Sequence, residues 1–186
     1  METTSLKNHF LIAMPALADP NFHGTVTLLC EHDEKGALGL VLNRPSTLSL
    51  GELLAQLEIP CNDPALAARP VHAGGPVNPE SGFVLHRPPG QWTSSLIVSD
   101  ALALTTSLDI LQALAAGEGP SDFIVALGYA GWGAGQLEQE LAANAWLTHP
   151  ADPDMIFTTP PEALWNAAAR AIGIDPDRLS SEAGHA

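Results

Sequence analysis

Cys30 and His32 are the two residues whose types and spacing come closest to covalent chemistry. A thiolate nucleophile needs a base or a cation beside it, and a histidine can serve as either. The two lie two positions apart at the end of a predicted strand, so both side chains should leave the same face, about 6–7 Å apart. A thiol-dependent enzyme would use Cys30 as nucleophile with His32 or His86 as base. The alternative, a buried structural cysteine near a histidine, is favoured because free cysteine is usually buried.

The seven histidines show no spacing typical of a metal site. No pair follows a His-x3-His pattern, and Cys30 and Cys61 do not form a Cys-x2-Cys pair. Cys30 and His32 with His86 could in principle bind a metal, but His86 stands at no informative offset from the other two. We therefore expect no metal and no cofactor, and a non-enzymatic protein more than an enzyme.

The glycine-rich segment Gly128–Gly135 follows a predicted strand, Phe123–Leu127, and precedes a predicted helix that begins at Gln136. A turn between a strand and a helix can present backbone N–H groups to an anion. The glycine spacing fits neither a dinucleotide-binding motif nor a P-loop, and Tyr129 and Trp132 would be unusual in a phosphate cradle. The interpretation we favour is a tight turn that lets the helix pack closely on the sheet.

Arg44 follows Asn43 at the end of a predicted strand, in a chain with few cations. Its guanidinium could hold a carboxylate or phosphate of a ligand through two parallel hydrogen bonds. It could equally pair with one of the many acidic side chains, and we favour that second interpretation.

The charge balance argues against direct binding to nucleic acid. The 186 residues carry 7 Lys+Arg against 21 Asp+Glu, a formal net charge of −14, and no basic residue lies between Arg87 and Arg170. Phosphate backbones are bound mainly by Lys and Arg, which are few and scattered here. Such an acidic surface would suit a basic protein partner better.

Cysteine content and hydropathy indicate a cytoplasmic protein. Two cysteines make no disulfide framework, so reduced thiols are the simplest interpretation. No apolar run approaches the roughly 20 residues of a membrane-spanning helix. Lys7 and the apolar run Phe10–Met14 imitate a secretion signal, but Pro15 interrupts the run, and a buried first strand is favoured.

Short strands and helices must position all of these residues. Strands are predicted at Leu6–Met14, Thr25–Glu31, Ala37–Asn43, Val71–Ala73, Phe83–His86, Ser95–Ser99, Ala101–Leu104, Phe123–Leu127, Ala145–Leu147 and Met155–Thr158. Helices should begin at the capping box Ser49–Glu52, near Ser107, at Gln136 and after Thr159, which is predicted as an N-cap. Strands follow strands without regular βαβ alternation, which predicts an α+β fold with a mixed, mostly antiparallel sheet.

Nine ordered motifs together resemble the YqgE/AlgH family of bacterial proteins. They are Phe10–Pro15, Asp19–Phe22, Thr25–His32, Gly36–Pro45, Gly74–Val77, Gly82–His86, Thr106–Leu111, Gly128–Glu138 and Ala145–Leu147. The resemblance covers about residues 5–174, and the linker at 61–70 and the C-terminal tail look specific to this chain. It implies a cytoplasmic protein whose strands curl into a bifurcated, barrel-like sheet flanked by helices. The family is described as transcriptional regulators, through one member linked to alginate production, and has no established catalytic residues.

We therefore predict a single domain over residues 1–186, with its core at about 5–174 and a polar tail at 175–186. The predicted function is a regulatory module that affects transcription indirectly, through a small-molecule or protein partner. The alternative is the thiol-dependent enzyme described above. The predicted ligand-binding surface gathers residues at strand ends and turns, where functional groups tend to collect. They are Cys30, His32, Asn43, Arg44, Gly74, Gly75, Pro76, His86, Tyr129 and Trp132.

Overall fold

A computed structural model describes residues 5–17 and 19–176. Its strands are β1 (His9–Ala13), β2 (Val26–Asp33), β3 (Gly36–Val41), β4 (Pro45–Ser49), β5 (Pro70–Ala73), β6 (Val77–Arg87), β7 (Ser95–Ile97), β8 (Ala103–Thr105), β9 (Asp122–Gly133) and β10 (Trp146–Pro150). Its helices are α1 (Leu50–Gln56), α2 (Pro64–Ala67), α3 (Leu108–Ala115), α4 (Gln136–Ala142), α5 (Pro153–Thr158) and α6 (Pro161–Ala171). No helix in these ranges is long and apolar enough to cross a membrane. From residue 177 onward, the predicted polar tail lies outside the described residues.

The strands form one curled sheet that divides at β9. The main path runs β10-β1-β2-β3-β9-β6-β8-β7. One edge of β9 pairs with β6, whereas its other edge is shared between β3 near Gly131 and β5 near Ala126. Among the described strands only β5 and β9 pair in parallel. The structure thus confirms the predicted α+β fold with a bifurcated, mostly antiparallel sheet.

Apolar side chains cover both faces of the sheet. On β1, Phe10 and Ile12 pack in a cluster with α6, while Leu11 and Ala13 pack in a different cluster with Leu137 of α4. A third cluster joins α1 and α3 to β5, β6 and β9. The alternation along β1 follows from the two-residue repeat of side chains along a strand, and it places α4 and α6 on opposite faces.

The predicted strand Met155–Thr158 is wrong, because these residues belong to helix α5. Asp152 caps that helix by accepting a 3.0 Å hydrogen bond from the Asp154 N–H, and Pro153 occupies its first turn. A capping side chain followed by proline sets a helix start, and here it prevails over the apolar run that suggested a strand.

The predicted turn at Gly128–Gly135 is also wrong over most of its length, because β9 continues to Gly133. Gly128 adopts a φ of +79°, and a Cβ there would overlap the carbonyl oxygen of Gly75. Glycine in this strand therefore marks a close approach of two backbones, as glycines inside strands often do.

Among the predicted helix starts, the first is confirmed and the last is wrong, and two short elements were not predicted. The Ser49–Glu52 capping box is confirmed, since Ser49 Oγ accepts from the Glu52 N–H at 3.1 Å and Glu52 Oε1 from the Ser49 N–H at 3.2 Å. The predicted N-cap Thr159 is wrong, since Pro160 occupies that position without a side-chain cap. Strand β4 and helix α2 fall in segments where the sequence predicted no element.

Candidate functional site

Cys30 and His32 lie on opposite faces of the sheet, which corrects the prediction that they share one. The pairing of β2 with β3 shifts register between Leu29 and Glu31, so β2 holds one extra residue there. A bulge of this kind reverses the alternation of faces along the strand. Cys30 packs in the cluster on the α6 side, whereas His32 bonds Glu138 of α4.

The Cys30 thiol is fully buried, and burial raises its pKa to about 12. Its sulfur lies 3.7 Å from the carbonyl oxygen of Leu28, the acceptor for its weak S–H donor. His86, the other suggested base, sits on β6, from which β2 is separated by β3 and β9. The geometry therefore gives the thiol-dependent alternative neither an accessible thiolate nor a neighbouring base.

His32 ties the start of the described chain to helix α4. Its Nδ1 accepts a 2.8 Å hydrogen bond from the Leu6 N–H, so the ring proton lies on Nε2. That nitrogen donates to Glu138 Oε1 at 2.6 Å, and the bond lowers the pKa of the Glu138 carboxyl. Both ring nitrogens are thus committed within the fold.

Asn43 and Arg44 hold the 19–24 turn onto the end of β3. Asn43 accepts from the Val26 N–H and donates to the Gly24 carbonyl oxygen, each at 3.0 Å. Arg44 donates through Nη1 to the Asn21 carbonyl at 2.6 Å and through Nη2 to that of His23 at 2.9 Å. The favoured pairing of Arg44 with an acid is wrong within the described residues, because carbonyl oxygens take that place.

Gly74, Gly75 and Pro76 connect β5 to β6 against the backbone of β9. A Cβ at Gly74 would overlap the Gly128 carbonyl oxygen, and one at Gly75 would overlap the backbone of Tyr129. The Gly74 N–H donates to the Leu127 carbonyl at 2.8 Å. These glycines permit the close approach at which the sheet divides.

His86, Tyr129 and Trp132 each pack in a separate surrounding. His86 is fully buried, and burial lowers its pKa. Its Nδ1 donates to the Pro88 carbonyl at 3.0 Å, and its Nε2 accepts from Thr105 Oγ1 at 2.7 Å. The Tyr129 ring lies 5.6 Å from that of Phe83. The Trp132 indole donates to Glu140 at 3.1 Å, beneath helix α4.

A cleft that the sequence did not reveal lies between the start of β5, the start of β9 and the α5–α6 junction. Its volume is about 310 Å³. The lining residues are Leu42, Arg69, Pro70, His72, Ser121, Asp122, Phe123, Ile124, Ile156, Phe157, Thr159, Pro161 and Leu164. None of the ten predicted site residues lines this cleft, which we call the Arg69 cleft.

Arg69 brings a positive charge to the cleft without an ion pair of its own. Its guanidinium carbon lies 3.9 Å from the centre of the Phe123 ring, and Nη2 donates to the Phe123 carbonyl at 2.8 Å. Arg69 remains exposed at the mouth of the cleft, where partial desolvation lowers its pKa and the charge of Asp122 partly opposes that effect. Within residues 5–17 and 19–176, no carboxylate lies within salt-bridge distance of Arg69, and Nε and Nη1 have no acceptor.

His72 supplies a second nitrogen-bearing side chain to the cleft. It is 8% exposed, and its Nδ1 is buried without a hydrogen bond of ordinary geometry in the described structure. Burial lowers the pKa of His72, the nearby carbonyl of Leu42 opposes this, and Arg69 lowers it further. The imidazole is therefore neutral at pH 7.

Asp122 is engaged by a different arginine. Arg87 Nε donates to Asp122 Oδ2 at 2.7 Å, and Arg87 Nη1 donates to Asp154 Oδ1 of α5 at 2.8 Å. Two carboxylates thus balance Arg87, while the one acceptor of Arg69 among the described residues is a carbonyl oxygen. In the sequence, the one signal for this site was Arg69, an isolated arginine in the 61–70 linker. That linker lies outside the motifs that resemble the family.

These features define a single-domain α+β protein with one curled, divided sheet and an open, cation-bearing cleft at its edge. A family model described as AlgH-like matches residues 10–177. A UPF0301 protein of Thioalkalivibrio sulfidiphilus is 54% identical over 99% of this chain and 98% of its own length. The UPF0301 protein of Chromobacterium violaceum is 50% identical over the full length of both chains.

The chain belongs to the AlgH-like, or UPF0301, family. Among solved structures, the AlgH protein from Pseudomonas aeruginosa is 52% identical, covers all of both chains and superposes with a TM-score of 0.81. A protein of Corynebacterium diphtheriae shares the fold with a TM-score of 0.74 over 97% of this chain and 92% of its own, at 22% identity.

Proposed function

We propose that this AlgH-like protein is a non-enzymatic regulatory module of the cytoplasm that binds a small molecule in the Arg69 cleft. The observation that carries this function is an arginine with free N–H donors beside a buried, neutral histidine in a cleft of about 310 Å³. Ligand sites are concave and combine apolar side chains with a few convergent polar groups. The Arg69 cleft is concave and places Arg69 and His72 opposite the apolar side chains of α5 and α6.

Any effect on transcription is indirect in this proposal and passes through a protein partner. The net charge of −14 opposes contact with phosphate backbones. Two arginines are also occupied within the fold, Arg44 by the 19–24 turn and Arg87 by Asp122 and Asp154. Within the described part of the chain, Arg44 and Arg87 therefore use their guanidinium donors inside the fold and not on a shared basic face.

The test is a titration of the isotope-labelled protein with a fragment library containing neutral, anionic and cationic compounds. We expect shifts of backbone signals from His72, Phe123 and Phe157 with a subset of fragments, and none of comparable size at Cys30. A library that leaves all cleft signals unmoved would refute ligand binding there. Separately, salt-sensitive binding to duplex DNA by the purified protein would refute the indirect mode of action.

A further inference from the structure

We propose that the ligand of the Arg69 cleft is an organic monoanion, a carboxylate joined to an apolar body; this deepens the proposed function and rests on it. The head group is set by Arg69, whose Nε and Nη1 have no acceptor among the described residues. The position over the Phe123 ring and the bond from Nη2 hold the guanidinium in place. Nη2 uses one of its two N–H groups for Phe123, so its second N–H, together with the neighbouring N–H of Nε or Nη1, forms a two-donor edge that is open to a ligand. A planar guanidinium edge matches the two oxygens of a carboxylate.

The apolar body is set by the helices on the other side of the cleft. Ile156 and Phe157 of α5 and Leu164 of α6 line it, together with Pro161 at the start of α6. Ile156 and Leu164 are only 3% and 2% exposed, so most of the accessible apolar surface of this wall comes from the half-buried Phe157 and Pro161. A small ring or short aliphatic chain would be removed from water against this wall while its carboxylate reached Arg69.

The charged groups around Arg69 favour one negative charge over two. From β9 the carboxylate of Asp122 lines the cleft, and from α5 Asp154 lies beyond it, 79% exposed at its side chain. Arg87 on β6 bonds both carboxylates. Without a ligand, the two positive charges of the arginines equal the two negative charges of the carboxylates. His72 is neutral and adds no charge. Because these four charges sum to zero, no unpaired positive charge offsets a second negative charge on the ligand. Asp122 repels that second charge, and taking it out of water is unfavourable, so a monoanion is preferred.

Three probes of similar shape separate these possibilities: benzoate, benzamide and phenyl phosphate at pH 8, where the phosphate carries two charges. We expect benzoate to shift the signals of His72 and Phe123 and to bind about tenfold or more tightly than uncharged benzamide. Phenyl phosphate should bind more weakly than benzoate. The Asp122→Asn variant should narrow that gap, and an unchanged gap would overturn the role given to Asp122.

Arg69→Gln should weaken benzoate binding by about tenfold or more, while Arg69→Lys, which keeps the charge and loses the planar edge, should fall between. Arg170→Gln is the matched control, because it removes the same charge from an exposed residue of α6 outside the cleft. Equal losses in both glutamine variants would show a general charge effect and overturn the assignment to Arg69.

Failure of the ligand class and failure of the proposed function give different results. If benzamide bound in the cleft as tightly as benzoate, or phenyl phosphate bound more tightly, the cleft would remain a ligand site and the monoanion would be excluded. If none of the three probes and no library fragment shifted the cleft signals, both would be overturned. Thermal unfolding of each variant checks that lost binding does not come from lost folding.

Discussion

Native Cys30 should resist alkylation far more strongly than Cys61. With a pKa of about 12, only about one Cys30 thiol in 100,000 is ionised at pH 7, against about 3% for an ordinary cysteine. Nucleophilicity rises with thiol pKa at a slope of about 0.4–0.5, which recovers a factor of about 40. Ionisation alone would therefore slow a Cys30 that reacted within the folded state by about 100-fold. Because the thiol is fully buried, iodoacetamide must instead wait for an opening of the fold, and the free energy of that opening sets the labelling rate.

The assay follows carboxamidomethylation of the two cysteine peptides by mass spectrometry over time. Cys61 is only half buried and is the internal reference within each sample. Rising urea should accelerate Cys30 labelling in step with unfolding, until both cysteines react alike. Native labelling of Cys30 as fast as that of Cys61 would refute the burial argument and revive the thiol-dependent enzyme.

Three further predictions concern the fold. Burial lowers the pKa of His86, so the unfolded state binds a proton more readily than the folded state. The free energy of unfolding should therefore be constant above about pH 6.5, as far as His86 is concerned, and should fall as the pH drops below that value. In urea melts between pH 5 and 8, His86→Gln should show a shallower decline. Glu140→Leu should cost roughly 2–4 kcal/mol, since two tryptophan indoles lose their acceptor, whereas Glu140→Gln should cost less; equal costs would contradict this. Arg44→Gln should cost roughly 1–3 kcal/mol through the 19–24 turn, while Arg170→Gln should change the unfolding midpoint little.

Local signals in the sequence predicted the elements that depend on local contacts. The capping box needs only Ser49 and Glu52, three residues apart, and both of its hydrogen bonds form. The strand predicted at Phe123–Leu127 is part of β9. The curled, divided sheet was predicted from the resemblance to the YqgE/AlgH family. No periodicity in the sequence predicts it.

Two of the errors share one physical cause, which is that each depends on a partner strand. The bulge that separates Cys30 from His32 exists only in the register of β2 against β3. The strand conformation of Gly128 depends on the close approach of Gly75, which lies 53 positions earlier in the chain. No local sequence pattern predicts that approach. Propensity and spacing describe single segments, and tertiary pairing decided these positions.

The Arg69 cleft follows from the same dependence. Arg69 and His72 are close in sequence, but they become a site only because β5 pairs in parallel with β9 and so places Phe123 beneath the guanidinium. Parallel pairing requires a long connection, here the chain from Ala73 to Asp122, which hides the relation from any local reading. Among the described residues, neither Arg44 nor Arg69 has a carboxylate within salt-bridge distance. The two differ in their remaining donors, because Arg44 gives both Nη groups to carbonyl oxygens of the 19–24 turn, whereas Arg69 uses Nη2 alone and lies where the divided sheet meets α5 and α6.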